Sequence, residues 1–141
     1  MRYLDASIPV GLMIGQPKQK LEDIRAIMEA VEAGRERVAT SVFTIAEIVY
    51  VLEREGKDGM FIAEVIDDFL GCGGLKVIDA KADDALDTAM EIYKKYKIDF
   101  VDAHHIATMQ EMRIREIYSL DPHYDCIPKI KRLEQVAAKV R

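Results

Sequence analysis

The chain has 141 residues, half of them hydrophobic, and a formal net charge of −5. That length suits a single domain over residues 1–141, large enough to bury a core without disulfide staples. The acidic balance excludes a protein that grips nucleic acid through a broad basic surface, because such binding needs clustered Lys and Arg.

Cys72 and Cys126 are the only cysteines. Neither belongs to a CxxC pair or to a Cys/His cluster of zinc spacing, so a reducing compartment is expected. There is no sustained apolar leader segment, and nowhere do eighteen apolar residues run together. The expectation is a cytoplasmic chain with no membrane partner.

The signals alternate strand, helices, strand, helices, strand, helices, strand, the pattern of an α/β fold with a parallel sheet. Arg2-Tyr3-Leu4 reads as the first strand, ending at Asp5. Ser7 is placed to cap a short helix with Pro9 in its first turn, and Gly15-Gln16-Pro17 breaks it. A longer helix runs through Leu21, Ile24, Ile27, Met28 and Val31, closed by Gly34. A strand over Arg37 to Thr40 leads to a helix from Val42 to Arg54, ended by Gly56, and another helix spans Met60 to Leu70.

Gly71-Cys72-Gly73-Gly74 is not a phosphate loop, because it precedes a strand, Leu75 to Ile78, where a phosphate loop precedes a helix. Helical periodicity returns over Ala82 to Tyr96 and again from Phe100 to Met112. The last strand is expected over Glu116 to Leu120, and Pro122 and Pro128 mark irregular chain beyond it. The basic stretch from Lys129 to Arg141 and the group Lys94, Lys95 and Lys97 read as solvated helix faces.

Four acids fall where this alternation brings them to one rim. Asp5 and Asp121 end strands, Glu47 lies near the start of a helix that follows one, and Asp102 begins a helix that leads into one. The Val42–Leu52 run is apolar on nearly every side, so that helix is expected to be buried. Its one charge, Glu47, then needs an ion or a distant basic partner. Each acid also has a plain structural role open to it. Asp99 and Asp102 can form a capping box, and Asp5 and Asp121 can be turn residues. Together, four anions in one cleft repel unless some are protonated or a divalent cation sits among them, and oxygen ligands suit Mg²⁺ or Mn²⁺.

At these residues the chain resembles the PIN-domain nucleases, and within them the toxin ribonucleases of VapBC-type toxin–antitoxin pairs. The resemblance rests on Tyr3-Leu4-Asp5-Ala6-Ser7, Thr44-Ile45-Ala46-Glu47-Ile48, Phe100 to Thr108, and Ser119-Leu120-Asp121-Pro122-His123-Tyr124. It implies a three-layer α/β/α fold with a parallel sheet of about four or five strands. It further implies that Asp5, Glu47, Asp102 and Asp121 hold Mg²⁺ or Mn²⁺ for cleavage of RNA. Ser7 and Ser119 match hydroxyl residues that help hold metal, water or phosphate, and Asp99 is a reserve ligand. Ala6 departs from the pattern, since many members carry Ser or Thr there. A cognate antitoxin and a homodimer are the implied partners.

His104 and His105 are adjacent on one helix and cannot share a metal as an i, i+4 pair does, so structural roles are expected for both. His123 reads as a solvated loop residue. The competing functions are a catalytically inactive module of the same fold that binds RNA or protein, and a phosphoacceptor domain. The second lacks the lysine after a strand that it needs.

Overall fold

The computed structural model describes residues 1–78 and 82–137. Five strands form one sheet in the order β3-β2-β1-β4-β5: β1 Arg2–Leu4, β2 Val38–Thr40, β3 Leu75–Val77, β4 Glu116–Tyr118 and β5 Lys131–Leu133. All pairings are parallel. Six helices connect them: α1 Ser7–Ile14, α2 Leu21–Glu32, α3 Val42–Arg54, α4 Gly59–Leu70, α5 Ala82–Lys95 and α6 Phe100–Glu111.

Because successive strand side chains point to opposite faces, each strand feeds two cores. Tyr3, Ala39 and Ile117 pack with Ala89 and Ile92 of α5 and Ile106 and Met109 of α6. Their neighbours Leu4, Val38 and Tyr118 pack on the other face with Ile8, Ile24, Ile27, Ile48 and Phe69 from α1 to α4. The expected three-layer α/β/α architecture follows from that alternation.

Local chemistry sets the element ends. Ser41, Asp58 and Asp99 cap α3, α4 and α6 by accepting N–H groups of the first turn. Gly34 closes α2 with φ of 74°, a left-handed conformation glycine adopts without strain. Gly74 is required for another reason. A Cβ there would lie 2.0 Å from the Glu36 carbonyl oxygen, so the α4–β3 turn can press onto the chain entering β2 only without a side chain. That turn is the helix-to-strand connection expected of the glycine cluster.

Four expectations need correction. Ser7 does not cap α1; it is the first helical residue, Ala6 occupies the cap position, and the Ser7 hydroxyl is committed to Asp5. The chain after Pro122 is ordered, with a 3-10 helix over Pro122–Cys126 and then β5. The basic stretch is therefore no helix face where it is described. Lys131–Leu133 is an edge strand, and Arg132 is committed to Asp125, Glu134 and the Ser119 carbonyl. Lys139 and Arg141 lie outside the described residues.

The fourth concerns α3. Only Thr44, Ile48 and Leu52 are buried along it, while Val42 and Tyr50 are 59% and 61% exposed. The helix is apolar on faces that no described part of the chain covers.

Candidate metal centre

β1 leads out to β2 on one side, and the return from β3 crosses to β4 on the other. The sheet order therefore reverses between β1 and β4. Such a switch point opens a crevice at the carboxyl ends of the two strands. Asp5 follows β1 and Asp121 follows β4, so both acids stand in that crevice because of where their strands end.

Asp5 is buried and held on one oxygen. Its Oδ2 accepts from the Ser7 hydroxyl at 2.6 Å, the Ser119 hydroxyl at 2.9 Å and the Ser7 N–H at 3.2 Å. Those hydroxyls are themselves fixed by backbone: Leu120 N–H donates to Ser7 Oγ and Asp121 N–H to Ser119 Oγ, both at 3.0 Å. Ser7 and Ser119 thus spend their protons on Asp5 and tie the ends of β1 and β4 together.

Asp102 sits in the first turn of α6, buried, with Asp99 accepting its N–H at 2.8 Å. The capping box is one-sided, because the Asp102 carboxyl turns inward instead of returning to Asp99. Its Oδ1 accepts from the Tyr124 hydroxyl at 2.9 Å, and that hydroxyl also lies 3.3 Å from Asp5 Oδ1. Its Oδ2 is buried without a hydrogen-bond partner among the described residues. Burial, and next the nearby Asp99 charge, push the Asp102 carboxyl up to about 7. Burial likewise raises the Tyr124 phenol, which stays a donor.

Glu47 does not lose its water as expected. Its side chain is 35% exposed and lies 3.3 Å from His105 Nε2. Asp5, Glu47 and His105 each offer a ligand atom, all within 4.8 Å of one another, and so do Asp102, Asp121 and His123. Asp121 Oδ1 accepts the His123 N–H at 2.9 Å, and the His123 ring Nδ1 lies 3.2 Å from it. The Tyr124 hydroxyl bridges Asp5 of one group and Asp102 of the other, so the two groups adjoin at the rim. Asp99 is exposed and engaged in its cap.

The donors fit a hard divalent cation: carboxylate oxygens gather at the rim, and the buried Asp102 Oδ2 has no hydrogen-bond partner among the described residues, with the His123 ring Nδ1 4.0 Å away. Tyr3, His105 and Tyr124 also stand at this site, beyond the residues to which the sequence points. His105 carried a signal, being three residues after Asp102 and so on the same helical face. Tyr124 carried only its nearness to Asp121.

The PIN-domain family model matches residues 2–130. The chain belongs to the PIN-domain family. Among relatives of this PIN domain, Ribonuclease VapC13 of Mycobacterium tuberculosis is 31% identical over 139 residues, covering 94% of this chain and 99% of that one. Among solved structures, VapC20 of Mycobacterium tuberculosis, described as a sarcin-ricin loop cleaving toxin, superposes with a TM-score of 0.68. It is 20% identical and covers 86% of this chain and 90% of that one. A toxin–antitoxin complex from Klebsiella pneumoniae gives 0.64 at 18% identity, covering 92% and 95%. At those identities the structures speak for the shared PIN fold.

Proposed function

We propose that the chain is an endoribonuclease that hydrolyses RNA phosphodiester bonds, the toxin of a VapBC-type pair, with Mg²⁺ or Mn²⁺ held by Asp5, Glu47, Asp102 and Asp121. The observation that carries the reading is the buried Asp102 Oδ2, which has no hydrogen-bond partner among the described residues, in a rim where Asp102 neighbours Asp121 and Asp5 neighbours Glu47. The ribonuclease name of the VapC13 relative supplies the substrate class.

When bound, a divalent cation supplies Lewis acidity that makes a water more acidic and offsets charge on the phosphoryl oxygens. The chain's own residues set the geometry. Ser7 and Ser119 lock the Asp5 carboxylate from one side, leaving Oδ1 turned toward Asp102 and Tyr124. Tyr124 spaces those two carboxylates with one hydroxyl. A cation also explains how a chain of net charge −5 engages a polyanion. For an inactive module, four converging acids would be a destabilising residue set with no compensating use.

An antitoxin and a second copy of the chain are the proposed partners. The apolar side chains that α3 and α4 leave in water, Val42, Tyr50, Met60 and Phe61, support such contacts. Among the described residues no helix is long and apolar enough to cross a membrane.

The test is incubation of the purified protein with labelled total cellular RNA and a synthetic sarcin–ricin-loop hairpin, with Mn²⁺ or with chelator. Cleavage that needs the cation and is lost in Asp5→Asn is expected. No cleavage by the wild type, or equal cleavage by the variant, defeats the reading.

A further inference from the structure

Glu47 is the least anchored of the four acids. Asp5 is fixed by three donors on one oxygen, whereas Glu47 reaches from α3 on a longer side chain that is 35% exposed. Among the described residues, its one hydrogen-bond partner is His105 on α6, with Nε2 at 3.3 Å from Oε2. His105 is wholly buried, and its other ring nitrogen, Nδ1, lies 2.7 Å from the hydroxyl of Tyr3 on β1, which is also wholly buried.

We infer that His105 is a positioning residue for the metal site: Tyr3 fixes its tautomer, and its Nε2–H aims the Glu47 carboxylate at the cation. The inference rests on the proposed reading of the four acids as metal ligands.

The tautomer follows from the partners. The Glu47 carboxylate can only accept, so the Nε2 that faces it carries a proton, and Nδ1 is left to accept from the Tyr3 hydroxyl 2.7 Å away. A phenol donating to Nδ1 requires that nitrogen to accept, which puts the single proton of a neutral imidazole on Nε2. That proton faces Glu47 Oε2, and the wholly buried ring lies against the Tyr3 ring with centroids 5.3 Å apart. A relay of two buried rings thus joins β1 and α6 to the one ligand on α3. Groups that orient a ligand in this way typically change metal affinity by about 10–100-fold when removed.

Isothermal titration of Mn²⁺ into metal-free protein tests it, with melting curves confirming each variant's fold. His105→Leu is expected to weaken Mn²⁺ binding about tenfold or more, Tyr3→Phe to weaken it less, and His105→Gln, which keeps an N–H near the Nε2 position, to restore most of it. In a Glu47→Gln background, His105→Leu is expected to add no further loss, because the two act through one another. Additive losses in that pair overturn the inference, as they mark His105 Nε2 as a ligand in its own right. So does unchanged affinity in His105→Leu while Asp5→Asn loses binding, and there the metal-site reading survives. Unchanged affinity in Asp5→Asn as well defeats both. Should His105→Leu fail to fold, the near-isosteric Tyr3→Phe decides, and unchanged binding in it overturns the relay.

Discussion

The Tyr124 hydroxyl donates to Asp102 Oδ1 at 2.9 Å, in a site where both side chains are buried. Asp5 Oδ1 competes for the same proton at 3.3 Å. One hydroxyl therefore serves two carboxylates that the cation would otherwise have to separate.

Tyr124→Phe removes that hydroxyl and keeps the ring in the core. The metal-free variant should be less stable by about 1–3 kcal/mol, the usual cost of leaving a buried acceptor unpaired. Urea denaturation in chelator measures it. No loss would mean that the hydroxyl is not donating to either acid.

The Asp102 carboxyl sets a pH dependence. In the folded, metal-free protein it keeps its proton up to about 7, whereas in the unfolded chain it releases it near the ordinary value of 3.8. Between those values the fold binds more protons than the unfolded chain, so this residue makes stability fall as pH rises through the window. Asp102→Asn cannot titrate and should flatten that slope. In chelator the variant should melt above wild type at pH 8, with the gap closing toward pH 4.5. A gap that widens at low pH would reverse the sign and refute it.

Ligands and their supports should separate in rate. Asp5→Asn should lower RNA cleavage by about 100-fold or more, while Ser119→Ala, which removes one of three donors to Asp5 Oδ2, should cost about tenfold. Single-turnover cleavage at saturating Mn²⁺ makes the comparison. Equal losses would give Ser119 a role beyond holding Asp5.

Arg132 anchors the edge strand to the site. It grips Asp125 with two nitrogens, at 2.9 and 3.0 Å, and donates to the Ser119 carbonyl at 3.2 Å. Solvent at Asp125 weakens the ion pair, so most of the effect should come from the carbonyl left behind. Arg132→Ala should cost about 1–2 kcal/mol by denaturant titration. It should slow cleavage less than Ser119→Ala, because the Ser119 hydroxyl still has its backbone partner from Asp121.

The order of elements and the convergence of Asp5, Glu47, Asp102 and Asp121 were legible in the chain. Helix periodicity, caps such as Asp99 and stops such as Gly34 are local signals, and an acid after a parallel strand has only one rim to face. β5 was not legible. Lys131-Arg132-Leu133 has no strand pattern of its own and is a strand because β4 offers it a partner, its charges suiting an edge.

The burial of α3 could not be read either, because Val42 and Tyr50 are apolar whatever covers them. The sequence by itself determined which residue types would gather at the sheet's carboxyl edge, since strand ends and helix starts are encoded within a few neighbours. Only the tertiary structure decided that Tyr3 and His105 stand behind Glu47 and that Tyr124 stands between Asp5 and Asp102. Those contacts join distant segments, and their distances depend on how β1, α3, α6 and the chain after β4 pack together.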